Sequence, residues 1–403
     1  MKRKILFVIP YLYEGGAQRF LSNLQMNLPE DWEIETLVNS EYNKAYEFRG
    51  RIHSLGIETL PRTSSVFFQF KVFLKRVQRL KKLKKTGKYV ACISIIDSAN
   101  VSNILSGNKT CKTIISVVTS LLSINNVPQY RYIVNPLARL LYKKADKVVA
   151  VSEELKCELI KTLKLDERTV YAITTGCDLE MITKMKKEPV EDSIYNRIKG
   201  NRVICNVGRL SFPKGQWHLI RAFKIVKESI PDVVLVIAGE GELEDYLKGI
   251  TREMGLSDSV IMLGHTDNVY KYLNVSDVFV FPSLLEGFPN ALAEAICVGV
   301  PCVATDFKTG AREMIAPDLL FTDCSIDSVT ECEYGILTPV CSGKMYEGKD
   351  PIEDSEKLLA AAIIRMLDPQ VTEDYIIRIK SKAESLDNDH TVQKWIDVIE
   401  NGA

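Results

Sequence analysis

Apolar residues fall along this chain in short unbroken runs, and between the runs they recur every three or four positions. The first run is Ile5 to Ile9. An unbroken apolar run of this length suits a strand covered on both faces, as in a parallel sheet. The segment Tyr11-Leu-Tyr-Glu-Gly-Gly-Ala-Gln-Arg19 follows, and Phe20, Leu21, Leu24 and Leu28 then mark a helix. Further strands are predicted at Ile34 to Val38, Val90 to Ile96, Thr113 to Val118, Lys147 to Val151 and Val170 to Ile173. Helical patterns separate them, which predicts a parallel α/β sheet.

A polar stretch, Lys184 to Lys199, interrupts the series. A second series runs through Val203 to Val207, Val233 to Ala238, Val260 to Leu263, Val278 to Phe281 and Pro301 to Ala304. Periodic helices, Glu356 to Met366 and Tyr375 to Leu386, precede a closing segment with Trp395 and Ile399. Two series predict two doubly wound domains rather than a barrel. The expected division is residues 1–185, residues 186–385 and a terminal segment 386–403, with the boundary near Lys186.

At 403 residues the chain is long enough for two separate cores. Its formal net charge is zero, so bulk charge argues neither for nucleic acid nor for a membrane. Ten cysteines are scattered without a C-x-x-C pair, mostly in or beside apolar strands. Buried free thiols in a reducing cytoplasm are the expectation. Lys2-Arg-Lys4 before Ile5 imitates a signal peptide, but the apolar core is short and no small-residue cleavage site follows. No apolar run reaches the roughly 18 residues of a membrane span.

One stretch breaks the neutral balance. From Thr59 to Ile96 there is no acidic residue but ten lysines and arginines, interleaved with Phe67, Phe68, Phe70 and Phe73. This predicts an amphipathic helix over residues 66–88 in peripheral contact with an anionic bilayer surface. Lys81, Lys82, Lys84 and Lys85 are expected to carry its exposed charge. No nucleic-acid motif accompanies the charge, and no nucleic-acid partner is expected.

The chemistry is expected around Phe281-Pro-Ser-Leu-Leu-Glu-Gly-Phe-Pro-Asn-Ala-Leu-Ala-Glu294. A strand runs into a loop, and Pro289-Asn290 opens a helix that Gly299 ends. The first turn leaves N–H groups free at the positive end of a dipole, which suits a phosphate. Glu286 and Glu294 on either side would repel that phosphate but accept hydroxyl donors. A ligand anionic in the middle and hydroxylated at both ends is a nucleotide-diphosphate sugar. Upstream, Gly208-Arg209-Leu-Ser-Phe-Pro-Lys214-Gly215 leaves another strand. Its arginine fork and lysine point charge can close on one diphosphate.

Together these segments resemble the retaining glycosyltransferases of family 4, through their glutamate-x7-glutamate motif and their R-x4-K pair. The resemblance covers nearly the whole chain and is densest from Asn206 to Glu313. It implies the GT-B fold, two Rossmann-like domains facing a central cleft, with the acceptor on the first and the nucleotide sugar on the second. Gly15-Gly16-Ala-Gln-Arg19 resembles the family's glycine loop across from the donor diphosphate. Gly239-Glu-Gly-Glu242 resembles its glycine-acidic turn, and Leu263-Gly-His-Thr266 its base-binding segment. The resemblance implies a donor site of Gly16, Gly208, Arg209, Lys214, Gly264, His265, Glu286, Gly287, Phe288, Pro289, Asn290, Ala291, Leu292 and Glu294. Arg209 and Lys214 would neutralise the leaving diphosphate, Glu286 would face the sugar, and Glu294 the ribose. The final segment would cross back onto the first domain.

Two departures stand out. Thr175 replaces the asparagine of the family's asparagine-glycine-x-aspartate turn, and Ser116-Val-Val-Thr-Ser-Leu-Leu122 holds no histidine where the family often has one. Gln18, Asp97 and Asn100 are the candidates on the acceptor side. Asp97 could bind an acceptor hydroxyl, although capping the next helix is the simpler role. No cofactor or metal is expected, since no histidine has a ligand partner at metal spacing. The implied reaction moves a hexose or N-acetylhexosamine from a nucleotide sugar, of the UDP kind, to a glycan or lipid-linked acceptor in envelope or capsular polysaccharide synthesis. The work would be done at the cytoplasmic face of the membrane. A sugar-nucleotide epimerase of the same fold and an inactive glycan-binding scaffold are the alternatives. Epimer formation from donor alone would mark the first, and absence of turnover the second.

Overall fold

The computed structural model describes residues 3–13, 15–42, 44–57, 66–107, 109–121, 135–322 and 324–400. Glu14, Leu122 and the first part of the acid-free stretch lie outside the described residues. The chain forms two compact units, Met1–Gly176 with Asn388–Ala403, and Cys177–Asp387. The division falls at Gly176, ahead of the polar stretch around Lys186.

The first unit holds β1 (Lys4–Val8), β2 (Glu33–Val38), β3 (Arg51–Ser54), β4 (Ala91–Ile95), β5 (Lys112–Val117), β6 (Lys147–Ala150) and β7 (Val170–Ala172). These pair in parallel in the order β3-β2-β1-β4-β5-β6-β7. Its helices are α1 (Gly16–Asn27), α2 (Val66–Gly87), α3 (Asp97–Leu105), α4 (Asn135–Leu141) and α5 (Glu153–Leu163). The apolar runs are continuous because each strand face has its own cover. Ile5, Phe7 and Ile9 pack in one core with Phe20, Leu21 and Leu24 of α1. Leu6 and Val8 pack in another with Val72, Leu80 and Leu83 of α2. Strand β3, Arg51-Ile-His-Ser54, escaped the reading because an edge strand needs no apolar run.

Helix α2 corrects one expectation. Val72, Leu80 and Leu83 are buried, and Arg76 and Lys84 are turned inward with them, 5% and 2% exposed. Lys84 Nζ donates to Asn103 O (3.0 Å), Gly107 O (2.7 Å) and Thr113 Oγ1 (3.1 Å). Lys84 is therefore a rivet between α2 and the sheet layer, not a surface charge. The outward face retains Phe67, Phe70 and Leu74 with Lys71, Lys81, Lys82 and Lys85.

The second unit holds β8 (Arg202–Val207), β9 (Val233–Ala238), β10 (Val260–Gly264), β11 (Val278–Phe281), β12 (Cys302–Thr305), β13 (Thr330–Glu331) and β14 (Ile336–Thr338). Their order is β10-β9-β8-β11-β12-β14-β13, parallel except for β13 at the edge. Its helices begin with α6 (Leu179–Met185), α7 (Asp192–Ile198), α8 (Gln216–Ser229), α9 (Glu244–Glu253) and α10 (Tyr270–Asn274). They continue with α11 (Asn290–Val298), α12 (Ala311–Ile315), α13 (Asp354–Met366) and α14 (Pro369–Ser385). The polar stretch thus carries the end of α6 and the whole of α7, and Ile198 of α7 packs beside Val203 and Val234.

A last helix, α15 (Asn388–Glu400), returns to the first unit. Its Trp395 is fully buried, with its ring 5.9 Å from that of Phe20. Among the described residues no helix is long and apolar enough to cross a membrane.

Candidate active site

The loop after β8 is shaped by backbone contact. Leu210 N donates to Glu240 O at 2.9 Å and Gly208 N to Ala238 O at 3.0 Å. Gly239 has φ +137°, and a Cβ there would stand 2.1 Å from Gly208 O, so only glycine fits. The glycine-acidic turn therefore braces the segment that carries Arg209. The Arg209 side chain itself is exposed. Its carbonyl accepts from Gln216 Nε2 at 3.0 Å, and Gln216, wholly buried, starts α8.

Lys214 ends a short 3-10 turn, Phe212–Lys214, and meets the second loop. Its Nζ lies 2.7 Å from Glu286 Oε1 and 5.0 Å from the centre of the Phe281 ring. Ser283 Oγ donates to the same Glu286 oxygen at 2.8 Å. The basic segment and the first glutamate of the acidic motif thus meet 72 residues apart in sequence.

The loop after β12 holds Glu286 from behind. Glu286 N donates to Lys308 O (3.1 Å), Thr309 N to Glu286 O (3.1 Å), and Thr309 Oγ1 to Gly287 O (2.7 Å). Arg312 closes that loop with a bidentate pair to Asp306 at 2.8 and 2.7 Å. Pro289 precedes α11, with Asn290 and Ala291 half-exposed in its first turn, while Phe288 and Leu292 are core residues. Glu294, 7% exposed, accepts from the Tyr270 hydroxyl at 3.3 Å. Gly264 has φ +70° and accepts from Gly239 N at 2.8 Å. His265 beside it is exposed, 3.4 Å from Asp267.

The first-unit candidates are placed differently. Gly16 opens α1 and is exposed. Gln18 is buried and donates to Tyr11 O at 3.3 Å. Asp97 is the first residue of α3 rather than its cap, and accepts from the Tyr142 hydroxyl at 2.8 Å. Asn100 is wholly buried, accepting from Ser94 Oγ and donating to Ser116 O, each at 2.8 Å. Those bonds tie α3 to β4 and β5, so Asn100 is spent on the fold.

One metal-capable group exists among the described residues. His218, Cys341 and Glu353 bring ligand atoms within 4.8 Å of one another, a grouping that sequence spacing could not show. Each is already engaged. His218 Nδ1 lies 2.8 Å from Glu356 Oε1, and its Nε2 accepts from Gly343 N at 3.2 Å. Burial alone would raise the Glu353 carboxyl, but hydrogen bonds from Ser342, Ser355 and Tyr346 hold it at about 2. Burial pushes the Cys341 thiol up to about 12, so it is not a ready thiolate ligand. The group fastens the loop between β14 and α13, with Trp217 Nε1 donating to Lys344 O (2.9 Å) and Arg221 Nη1 to Glu347 O (2.9 Å).

Residues 188–331 match the family model for glycosyl transferases group 1. The chain is 31% identical over 383 residues to an uncharacterized glycosyltransferase of Methanocaldococcus jannaschii, covering 91% of this chain and 94% of that one. It is 32% identical to an N-acetylgalactosamine-N,N'-diacetylbacillosaminyl-diphospho-undecaprenol 4-alpha-N-acetylgalactosaminyltransferase of Campylobacter jejuni, covering 63% and 64%. Among solved structures, HepE of Anabaena, crystallised with UDP and glucose, superposes with TM-score 0.73 at 18% identity, over 99% of this chain and 100% of that one. The two parallel-sheet units are those of the GT-B fold, and the chain belongs to the group 1 glycosyltransferases.

Proposed function

We propose that the chain moves a hexose or N-acetylhexosamine from a UDP-sugar to a glycan or lipid-linked acceptor, with retention, as a family 4 enzyme of envelope or capsular polysaccharide synthesis. The observation that carries the donor site is the meeting of Lys214, Ser283 and Glu286 at the carboxyl ends of β8 and β11. In this reading Arg209 and Lys214 take the donor diphosphate, whose charge grows as the glycosidic bond to it breaks. First-turn N–H groups at Asn290 and Ala291 add donors to the same anion. Glu286 accepts sugar hydroxyls, and Glu294 the ribose hydroxyls. The leaving phosphate oxygen receives the acceptor proton, so no side-chain base is required. The nucleotide follows the UDP of HepE, and the acceptor follows the diphospho-undecaprenol in the name of the Campylobacter jejuni relative.

The outward face of α2 supplies peripheral contact with an anionic membrane at its cytoplasmic side. Screening UDP- and GDP-sugars against extracted lipid-linked intermediates, with product analysis, tests the reaction. Transfer with retained anomeric configuration, persisting in excess EDTA, is expected. An epimerised donor without transfer, or dependence on added manganese, would refute the reading.

A further inference from the structure

Arg76, only 5% exposed, is a cation that no anion meets among the described residues. Its Nε donates to Asn39 Oδ1 at 3.1 Å. Its Nη1 reaches Ser98 O at 2.9 Å, and Ser98 Oγ and Ser102 Oγ at 3.3 Å each. All are neutral oxygens. Among the described residues Nη2 has no hydrogen-bond partner, and no carboxylate faces the guanidinium. Lys84, two turns further along the same face, spreads its charge over three acceptors and leaves nothing over. Buried cations in folded proteins are ordinarily paired. Burial draws Arg76 down to about 10, which still leaves it charged at neutral pH.

Its location is as telling as its isolation. Asn39 follows β2, Ser98 follows β4, and Tyr11 follows β1. These strands are neighbours in the order β2-β1-β4, and β1 is where the sheet reverses its direction of growth. Doubly wound sheets bind ligands outside the carboxyl ends of strands at such a reversal. The Tyr11 and Tyr13 rings stack there with centroids 5.6 Å apart, and Tyr13 is 41% exposed. Ser98, which Arg76 touches, is exposed as well. The Asp97 carboxylate beside it takes the Tyr142 hydroxyl.

We propose that Arg76 anchors a phosphate or diphosphate group of the acceptor at the carboxyl ends of β2, β1 and β4. The proposal rests on the glycosyl-transfer reading and deepens it, by giving the acceptor an anionic group and that group a cation. Nη2 and the Ser98 hydroxyl are the donors, and the exposed Tyr13 ring offers a flat face to an adjoining sugar or lipid.

The test is calorimetric, on the full chain. UDP affinity is measured first and checks the donor reading separately. With UDP saturating, inorganic pyrophosphate and farnesyl diphosphate are then titrated. Arg76→Gln should weaken both at least 10-fold and leave UDP affinity unchanged. Ser98→Asp should do the same, by placing a carboxylate against the guanidinium. An aspartate in the first turn of α3 suits the helix dipole, so this variant keeps its fold even where Arg76→Gln does not. Tighter binding of the farnesyl ester supports the subsite with a lipid-linked acceptor, and equal binding supports it with a soluble phosphorylated one. Wild-type protein that binds neither diphosphate, or folded Ser98→Asp that binds both as the wild type does, overturns the proposal.

Discussion

Lys214 and Arg209 share a proposed job but not a setting, so their removal should differ in side effects. Arg209 is exposed, whereas Lys214 holds the carboxylate of Glu286, whose side chain is 10% exposed. Alanine at either position should lower turnover about 100-fold or more, the range for lost stabilisation of transition-state charge. Arg209→Ala should leave the melting temperature unchanged. Lys214→Ala should lower it slightly, because among the described residues Glu286 then keeps only Ser283 as a side-chain partner. Steady-state kinetics beside thermal melts would separate the two, and wild-type turnover in either variant would remove it from the site. Both cations could be singled out from the sequence because each belongs to a motif. Ser283, Gln216 and Thr309 were not. Their roles are one or two hydrogen bonds each to partners that only folding brings near, and nothing in their local sequence marks them.

Among the elements, α2 shows where a charge run misleads. Val72, Arg76, Leu80 and Lys84 recur every four residues, and all four are buried. Helical phase, taken for the cations as it was for the leucines, would have found the inward pair. Lys81, Lys82 and Lys85 are exposed. Their joint exchange for glutamate should reduce binding to anionic vesicles, at about 1 kcal/mol per removed cation near the surface, and leave folding intact. Lys84→Glu should instead unfold the first unit, because a carboxylate would face two carbonyl oxygens. Vesicle sedimentation at low and high salt, beside circular dichroism, checks both. Full vesicle binding by the triple variant at low salt would end the membrane role of this face.

A second junction of elements joins β1, β2, β3 and the residues just before β4. Lys4 lies 2.8 Å and His53 2.7 Å from the Glu35 carboxylate, and the Tyr89 hydroxyl also donates to it. Burial would raise this carboxyl, but hydrogen bonds from Lys4, Tyr89 and His53 override it and hold it at about 2. Its folded value lies below its unfolded one. The stability it contributes is therefore complete above about pH 4.5 and is lost as pH falls towards 2. Glu35→Gln should be less stable at pH 7, and its stability should fall less steeply between pH 5 and about 2. Denaturant melts across that range would show it, and parallel curves for the two proteins would deny Glu35 its part in acid unfolding.

For the molecule as a whole, the two-domain fold was legible because an unbroken apolar run is the signature of a strand covered twice, and nearly every strand here is. The division at Gly176 was not, because the polar stretch that imitated a linker carries the end of α6 and the whole of α7, which belong to the second unit. The chain also leaves the second unit at Asp387 and re-enters the first, where Val392, Trp395, Val398 and Ile399 complete the core against α1. The first unit therefore depends for its folding on residues that follow the whole second unit in sequence. Trp395→Ala should cost about 3–5 kcal/mol, as for other buried aromatics, and the loss should fall on the first unit. UDP, bound by the second unit in the proposed reading, should raise only that unit's transition, by mass action. Calorimetry of wild type and Trp395→Ala with and without UDP should then give two transitions that move independently, one lowered by the mutation and the other raised by the nucleotide. A single transition displaced by both would mean that the units unfold together.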